Sequence, residues 1–406
     1  MTISYVDTVT KHFWHFSYGL YSVYGLYCFM FRQLRSVSSH HLRGEGIHAK
    51  FIDKMRENMT DQNIHKNDKV GEYLTHHLDN ILFDELSDEY LKKAEVEDIL
   101  KGVPIPFKAE QITSGATSTV MIASNMAFVI GCDRNFKYRD NYLAYINKFF
   151  PRDFEKPLLN EGVKAAQDED PETACIWFRA ALQVAPESQD ALFLYARACK
   201  DAYEKGDGED YIGTFKAESI RMFERLTINH PDFDQGYYFL GYGYLNLGLY
   251  TKAKLTFEEF MKLSEEGELR AEVAEVIDKL QDPCKIEAAI NDITAGRYDR
   301  GVLELEPYTK DDRFSSYWPM WYYLGIVYKE GGNLKEAERH LLMCLRYSPS
   351  NTDAMSELAE VYEESGDYVK ARKYRDKISL VEQNRELDRQ ERAEENAEET
   401  AEGGLQ

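Results

Sequence analysis

The chain has 406 residues, of which 43% are hydrophobic, and its formal net charge at pH 7 is −22. This negative charge argues against a nucleic-acid partner, because a phosphate backbone attracts basic surfaces and repels acidic ones. The six cysteines are scattered without a Cys-x-x-Cys pair, which indicates reduced thiols in a reducing, cytoplasmic compartment and predicts neither a metal site nor a cofactor.

Residues 1–58 form an aromatic-rich N-terminal segment. Positions 12–31 carry nine aromatic side chains and no formal charge. Three interpretations stay open: an anchor or interfacial helix through 12–31 that makes the protein membrane-associated, a helix packed on the rest of the chain, or a natural start at Met59. The third rests on charge, since this segment carries +3 and the remainder −25.

Residues 59–118 are predicted to be a small helical region without repeats. Ser87 is a suitable N-cap for a helix from Asp88 to Leu100, and Gly102 and Pro104 end that helix. An extended connector is expected from Pro104 to Phe107. An amphipathic helix face is predicted at Tyr73, Leu74, His77, Leu78 and Leu82.

An uncharged run extends from Gln111 to Cys132 and has the length of a membrane span. Polar side chains such as Thr117, Ser124 and Asn125 lie within it, and they disfavour insertion into a bilayer. We therefore expect a buried helix that opens the following repeat region, at residues 119–380.

Two stretches near the C-terminus match position by position at an offset of 34 residues. In the alignment, large residues match large ones and small residues match small ones. The first stretch has Trp321, Leu324, Gly325, Tyr328, Gly332, Leu334 and Ala337. The second has Met355, Leu358, Ala359, Tyr362, Gly366, Tyr368 and Ala371. This period is typical of a helix pair that stacks on a copy of itself. Gly325 is expected to permit close helix approach, and Pro349 to end the second helix.

The pattern resembles the tetratricopeptide repeat (TPR) family. A further strong unit runs from Tyr237 to Phe260, and weaker units lie at 162–186 and 288–305. A unit at 192–231 carries an insertion around 204–214, expected to be a long loop, and a degenerate unit starts near Phe136. The resemblance implies an all-α, TPR-type α-solenoid of about five to six helix pairs, preceded by the small helical region.

In the TPR family, certain first-helix positions line a concave groove that holds peptides. By the repeat alignment, these positions are Phe193 and Arg197; Tyr238, Tyr242 and Asn246; Tyr322, Ile326 and Lys329; and Ser356, Glu360, Glu363 and Glu364. The resemblance therefore predicts a groove that changes from aromatic to acidic. Such a groove suits a partner protein or peptide with apolar residues beside Lys or Arg. Packing between repeats and a solvated acidic face are the alternative interpretation.

Residues 381–406 form an acidic tail, expected to be helical at first and disordered beyond about Glu394. No phosphate-binding loop, nucleophile elbow or His-Glu-x-x-His motif occurs, so we predict a protein that is not an enzyme. Two functions stay open: a scaffold or adaptor that binds a partner in the groove, or a peptide-sensing regulator with residues 59–118 as its output module.

Overall fold

The computed structural model describes residues 68–108, 111, 118–151 and 154–403, without the side chains of 388, 389 and 391–403. The three interpretations of residues 1–58 lie outside the described residues. The described chain is all-α apart from one two-stranded sheet, as the repeat pattern predicts. It divides into two compact units, the first ending at Gly243 and the second beginning at Tyr244.

The described part of the first unit begins with a segment that mixes helices and strands, where the sequence predicts helices and one extended connector. Its elements are α1 (Lys69–Leu74), a 3₁₀ turn (Thr75–Leu78), β1 (Ile81–Asp84), α2 (Asp88–Lys93), α3 (Glu97–Leu100) and β2 (Ile105–Lys108). The two strands pair antiparallel, with Ile81 opposite Lys108 and Asp84 opposite Ile105.

The departures from prediction in this segment have identifiable physical causes. The predicted connector around Pro104 and Pro106 is strand β2, because proline favours extended backbone and a partner strand is available. Leu82, predicted on a helix face, lies in that partner strand β1 and is 51% exposed. Ser87 caps α2 as expected, but Glu95 has a positive φ of 54° and separates α2 from α3.

The uncharged run forms α4 (Thr119–Cys132), which is buried along most of its length, as predicted. The Ser118 hydroxyl caps it by accepting from the Met121 N–H at 3.2 Å. The buried Asn125 amide donates to the Pro106 carbonyl at 3.0 Å, which satisfies a polar group inside the core. Among the described residues, no helix has both the length and the apolar character that crossing a bilayer requires.

The rest of the first unit is helical. They are α5 (Arg139–Phe149), α6 (Glu155–Gln167), α7 (Pro171–Val184), α8 (Gln189–Lys205), α9 (Glu209–Asn229) and α10 (Asp234–Asn246), the last of which contains the boundary between the units. The insertion near 204–214 is mostly helical, contrary to the predicted loop. Tyr211 and Phe215 pack on Tyr73, with ring centroids 5.2 and 6.1 Å away, so the extra turn of α9 has a partner.

The second unit continues the helix pairs. Its elements are α11 (Tyr250–Leu263), α12 (Gly267–Lys279), α13 (Gln281–Thr294), α14 (Tyr298–Leu305), a 3₁₀ turn (Glu306–Lys310), α15 (Trp318–Glu330), α16 (Leu334–Tyr347), α17 (Thr352–Glu364) and α18 (Tyr368–Gly403). Helix α12 belongs to no predicted pair. Val273 is its buried residue, so it leaves no periodic apolar pattern in the sequence.

The two stretches that match at an offset of 34 residues correspond to the pairs α15–α16 and α17–α18. A Cβ atom on Gly325 would lie 2.7 Å from Cγ of Leu341, so the predicted close approach of α15 and α16 depends on glycine. Helix α18 continues to Gly403, where composition predicts disorder beyond Glu394. Its Ala, Glu and Arg residues have high helix propensity, which favours helix even without a buried face.

Candidate functional site

Phe193, the first predicted groove residue, takes part in packing. It is half-buried on α8, and its ring centroid lies 5.3 Å from that of Phe233, 5.7 Å from Phe239 and 6.3 Å from Phe223. These rings come from α9, α10 and the turn between them. Phe193 therefore contributes to an aromatic core between helices, as the packing interpretation predicts.

The groove candidates Arg197, Tyr238 and Tyr242 lie beside this cluster. Arg197 is exposed, and its guanidinium carbon lies 4.9 Å from the centroid of Phe239, a cation–π distance. Tyr238 and Tyr242 are half-buried on α10 with their rings edge-to-face at 5.1 Å. Asn246 is exposed at the end of α10, within the second unit. This face thus combines aromatic area with one positive charge.

In the second unit, α15 has two distinct faces. Its packed face holds Trp321, Leu324 and Gly325, all buried. Tyr322 and Ile326 are half-buried and lie one turn apart on a different stripe. Tyr322 also packs against the hydrophobic core of this unit. The groove role of Tyr322 and Ile326 therefore stays a prediction.

Lys329, the third candidate on α15, is held between two carboxylates of α17. Its Nζ donates to Glu357 and, at 2.7 Å, to Glu360. Burial lowers the pKa of Lys329, but these two hydrogen bonds and charges outweigh it and raise the pKa to about 12. The three groups together carry a net charge of −1. The sequence did not identify Glu357 as a groove candidate. The 34-residue period makes its neighbour Ser356 the equivalent of Tyr322 in the next repeat.

The predicted acidic end is partly neutralised within the chain. Glu363 forms an ion pair with Arg375 of α18, and Glu360 contacts Lys329. Glu364 and Ser356 are exposed on α17. The Glu360 side chain remains 52% exposed despite its partner, so it is accessible to a second cation.

A buried ionic cluster in the first unit was not foreseen from the sequence. Arg179 on α7 is fully buried and forms an ion pair with Asp68, which also caps α1. Nearby, Glu218 on α9 accepts from the Tyr195 hydroxyl at 3.0 Å and lies 3.6 Å from Arg134. Burial raises the pKa of Asp68, but Arg179 and Arg134 outweigh it and keep that pKa below its ordinary value.

One group in the described residues brings three typical metal-ligand side chains together: His76, His77 and Glu172. Both histidines belong to the 3₁₀ turn after α1, and Glu172 is the second residue of α7. Burial raises the pKa of Glu172, but hydrogen bonds from His77 and Tyr211 and the charges of both histidines outweigh it, so the pKa lies below its ordinary value. His76 and His77 are adjacent in the sequence, but nothing in the sequence indicated that Glu172 lies beside them.

Comparison with known proteins supports the repeat assignment. The family model described as tetratricopeptide repeat matches residues 234–266, a range that contains the strong upstream unit from Tyr237 to Phe260. Among curated proteins, none matches the chain significantly.

Three solved structures illustrate the similarity. The TPR domain of P58(IPK) is 14% identical, covering 74% of this chain and 86% of its own, with a TM-score of 0.41. MamA from Desulfovibrio magneticus RS-1 is 12% identical, covering 57% and 97%, with a TM-score of 0.23. YrrB, a TPR protein with an unusual peptide-binding site, is 14% identical, covering 53% and 97%, with a TM-score of 0.23. Because these TM-scores are low, we derive nothing about function from them.

Proposed function

We propose that this chain, a tetratricopeptide repeat protein, is an interaction scaffold or adaptor that binds a segment of a partner protein. TPR proteins generally mediate protein–protein interactions. The observation that carries the proposal is the second stripe of α15, where Tyr322, Ile326 and Lys329 are half-buried at i, i+4 and i+7. An aromatic, an aliphatic and an ion-paired side chain in one row suit an extended or helical peptide.

The charges beside this row favour a basic partner. Glu357 and Glu360 outnumber Lys329, and Glu364 lies exposed on the same helix as the two acids. A Lys or Arg of the partner that reaches Glu360 gains a charge-assisted hydrogen bond without leaving Lys329 unpaired, because Glu357 still holds it. The net charge of −22 adds long-range attraction.

The aromatic face of the first unit is a second proposed contact. Tyr238 and Tyr242 present edge-to-face rings, and aromatic side chains are enriched at binding hot spots. Arg197, beside Phe239, gives this face a positive charge, whereas the row on α15 lies beside acidic residues. We therefore expect this face to accept the apolar part of a partner.

The contacts of residues 68–108 favour the scaffold over a regulator with a separate output module. The Tyr142 hydroxyl donates to the Pro104 carbonyl at 2.6 Å, and the Asn141 amide donates to the Ile99 carbonyl at 2.7 Å. Together with the bond from Asn125 to Pro106, these tie the segment to α4 and α5. A module that moves to signal would have to break all three bonds.

The experiment is peptide selection followed by affinity measurement. A random display library is selected on the immobilised full chain, and enriched peptides are measured by fluorescence anisotropy. We expect sequences with Lys or Arg beside apolar residues, and affinity that falls with added salt. The variant Tyr322→Ala should weaken binding about tenfold, since a buried aromatic contact contributes more than about 1 kcal/mol.

Matched variants control for nonspecific effects. Tyr368→Ala removes a tyrosine of α18 that is 70% exposed, and it should leave binding unchanged. Glu360→Lys should weaken binding and reduce its salt dependence, whereas Glu382→Lys on the exposed part of α18 should do neither. Enriched peptides that are acidic, or that bind Tyr322→Ala and Glu360→Lys as tightly as the unmodified chain, would refute the proposal.

A further inference from the structure

Three side chains from two distant parts of the first unit converge at one point. Nε2 of His77 lies 3.2 Å from Oε2 of Glu172, and Nε2 of His76 lies 3.6 Å from the same oxygen. The two imidazole rings are 4.1 Å apart. All three ligand atoms lie within 4.8 Å of one another. His77 and Glu172 are separated by 95 residues in sequence, so the fold itself creates this arrangement.

We propose that His76, His77 and Glu172 bind one Zn²⁺ ion. In a tetrahedral site with bonds of about 2.0 Å, neighbouring ligand atoms are about 3.3 Å apart, and both nitrogen–oxygen separations are close to that value. Imidazole nitrogen with carboxylate oxygen is a donor set that zinc accepts readily. Three protein ligands leave a fourth position for water.

The surroundings of the ligands orient them for metal binding. Nδ1 of His76 lies 2.7 Å from the carbonyl oxygen of Tyr73, which can only accept, so Nδ1 carries the proton and Nε2 presents its lone pair. The other carboxylate oxygen of Glu172, Oε1, accepts from the Tyr211 hydroxyl at 2.9 Å. Outer-shell partners of this kind fix the orientation of metal ligands.

The alternative occupant of this point is a proton. Without metal, Nε2–H of His77 donates to Glu172, and a protonated His76 forms a second ion pair with the same carboxylate at 3.6 Å. A metal ion would take the place of the protons on both Nε2 atoms and use all three groups, with the proton of His77 on Nδ1. Binding of the metal should therefore release protons.

The bound ion would fasten the start of the described chain to the repeat helices. The histidines follow α1, Glu172 begins α7, and Tyr211 belongs to α9. An ion held by the folded arrangement alone stabilises that arrangement by mass action. Loading of the site should therefore be measurable as stability of the first unit.

The test uses tag-free full-length chain stripped of metal with a chelator. Co²⁺ serves as a spectroscopic probe for the Zn²⁺ site, with Zn²⁺ competition giving affinity and thermal unfolding giving stability. We expect one site per chain with visible d–d absorption of low-symmetry Co²⁺, lost in His77→Ala and in Glu172→Gln. Tyr211→Phe should keep the site but bind about ten to a hundred times more weakly, because it removes an outer-shell bond.

His230→Ala is the matched control, because this histidine of the same unit contacts the Glu187 carbonyl instead of a carboxylate. It should leave the Co²⁺ spectrum and the Zn²⁺-induced rise in Tm unchanged. Circular dichroism of each metal-free variant separates loss of ligand from loss of fold, and the exposed His76 offers a milder variant, His76→Ala. Equal metal affinity in the unmodified chain, His77→Ala and Glu172→Gln, or no metal-induced change in the unmodified chain, overturns the proposal.

Discussion

Replacing Asp68 by asparagine should destabilise the first unit far more than a surface substitution does. Arg179 is fully buried, and the Asp68 carboxylate is its ion-pair partner, with 9% of that side chain exposed. The same carboxylate accepts from the Gly71 N–H at 3.1 Å and so caps α1. In the variant Asp68→Asn, the guanidinium stays buried and charged without its counter-charge.

The expected magnitude follows from this burial. Removing one member of a buried ion pair costs about 3–5 kcal/mol, because the remaining charge cannot regain its hydration. Among the described residues, Nε and Nη1 of Arg179 have no hydrogen-bond partner, so the charge of the nearby Glu218 offsets only part of the loss. The matched control Asp140→Asn removes an acid that pairs with Arg139 but is 91% exposed, and it should cost about 0–1 kcal/mol.

Hydrogen exchange measured by mass spectrometry is the suitable assay, because it reports each unit separately. Peptides from α1, α4 and α7 should lose protection in Asp68→Asn, while peptides from α15 to α17 serve as an internal reference. The double variant Asp68→Asn with Arg179→Met should recover most of the loss, since both charges are then absent. A loss no larger than that of Asp140→Asn, or an equal loss in the second unit, would refute the reasoning.

The same pair predicts acid sensitivity. The pKa of Asp68 is lower in the folded chain than its ordinary value of 3.8, so the unfolded chain binds the proton more readily. Its contribution to stability is therefore complete above about pH 4 and is lost as the pH falls through the folded pKa. The free energy of unfolding of the first unit should therefore fall less steeply with decreasing pH in Asp68→Asn than in the unmodified chain.

Two further predictions concern the second unit. Gly325→Ala should destabilise this unit by about 1–3 kcal/mol in urea unfolding, because the new methyl group meets Leu341. The control Gly267→Ala has open space around its Cβ and should be neutral or stabilising. Equal effects of the two substitutions would contradict this prediction. Burial lowers the pKa of His340, so the unfolded chain takes up the proton more readily and stability should fall as the pH drops below about 6.5. His340→Gln should remove this dependence between pH 7.5 and 5.5, and an unchanged dependence would count against it.

The helix pairs were predictable from sequence because their interactions are local. Each pair packs mainly on its chain neighbours, so a buried position recurs at the repeat period. Trp321 and Met355 are both 4% exposed, and Leu324 and Leu358 are both fully buried. Large and small residues therefore mark the core directly, without knowledge of distant contacts.

The segment 68–108 was harder to predict, because its structure depends on pairing between distant residues. Ile81 opposite Lys108 is a contact between residues that no local period connects. The apolar residues around Leu78 and Leu82 fit a helix by spacing, yet the extended backbone at Pro106 offered a strand partner instead. Tertiary pairing overrode a weak helical pattern there.

The candidate faces show the same division between local and distant information. The positions of Tyr322 and Ile326 follow from the repeat period alone. Which acids surround Lys329 depends on the angle between α15 and α17, which the period does not specify. The metal-site proposal depends on Glu172, which is 95 residues from His77, so the histidine pair alone gave no reason to expect a ligand set.

Helix α1 is held against α7 by contacts at both of its ends. It has six residues, too few for a stable isolated helix, so its structure depends on contacts with the repeat helices. Asp68 at its start contacts Arg179, while His77 after its end contacts Glu172. The two partners lie about two turns apart on α7, so α1 is attached at both ends and runs antiparallel to it. Charged contacts at both ends fix its direction as well as its position, which suits a permanent part of a scaffold better than a segment that detaches to signal.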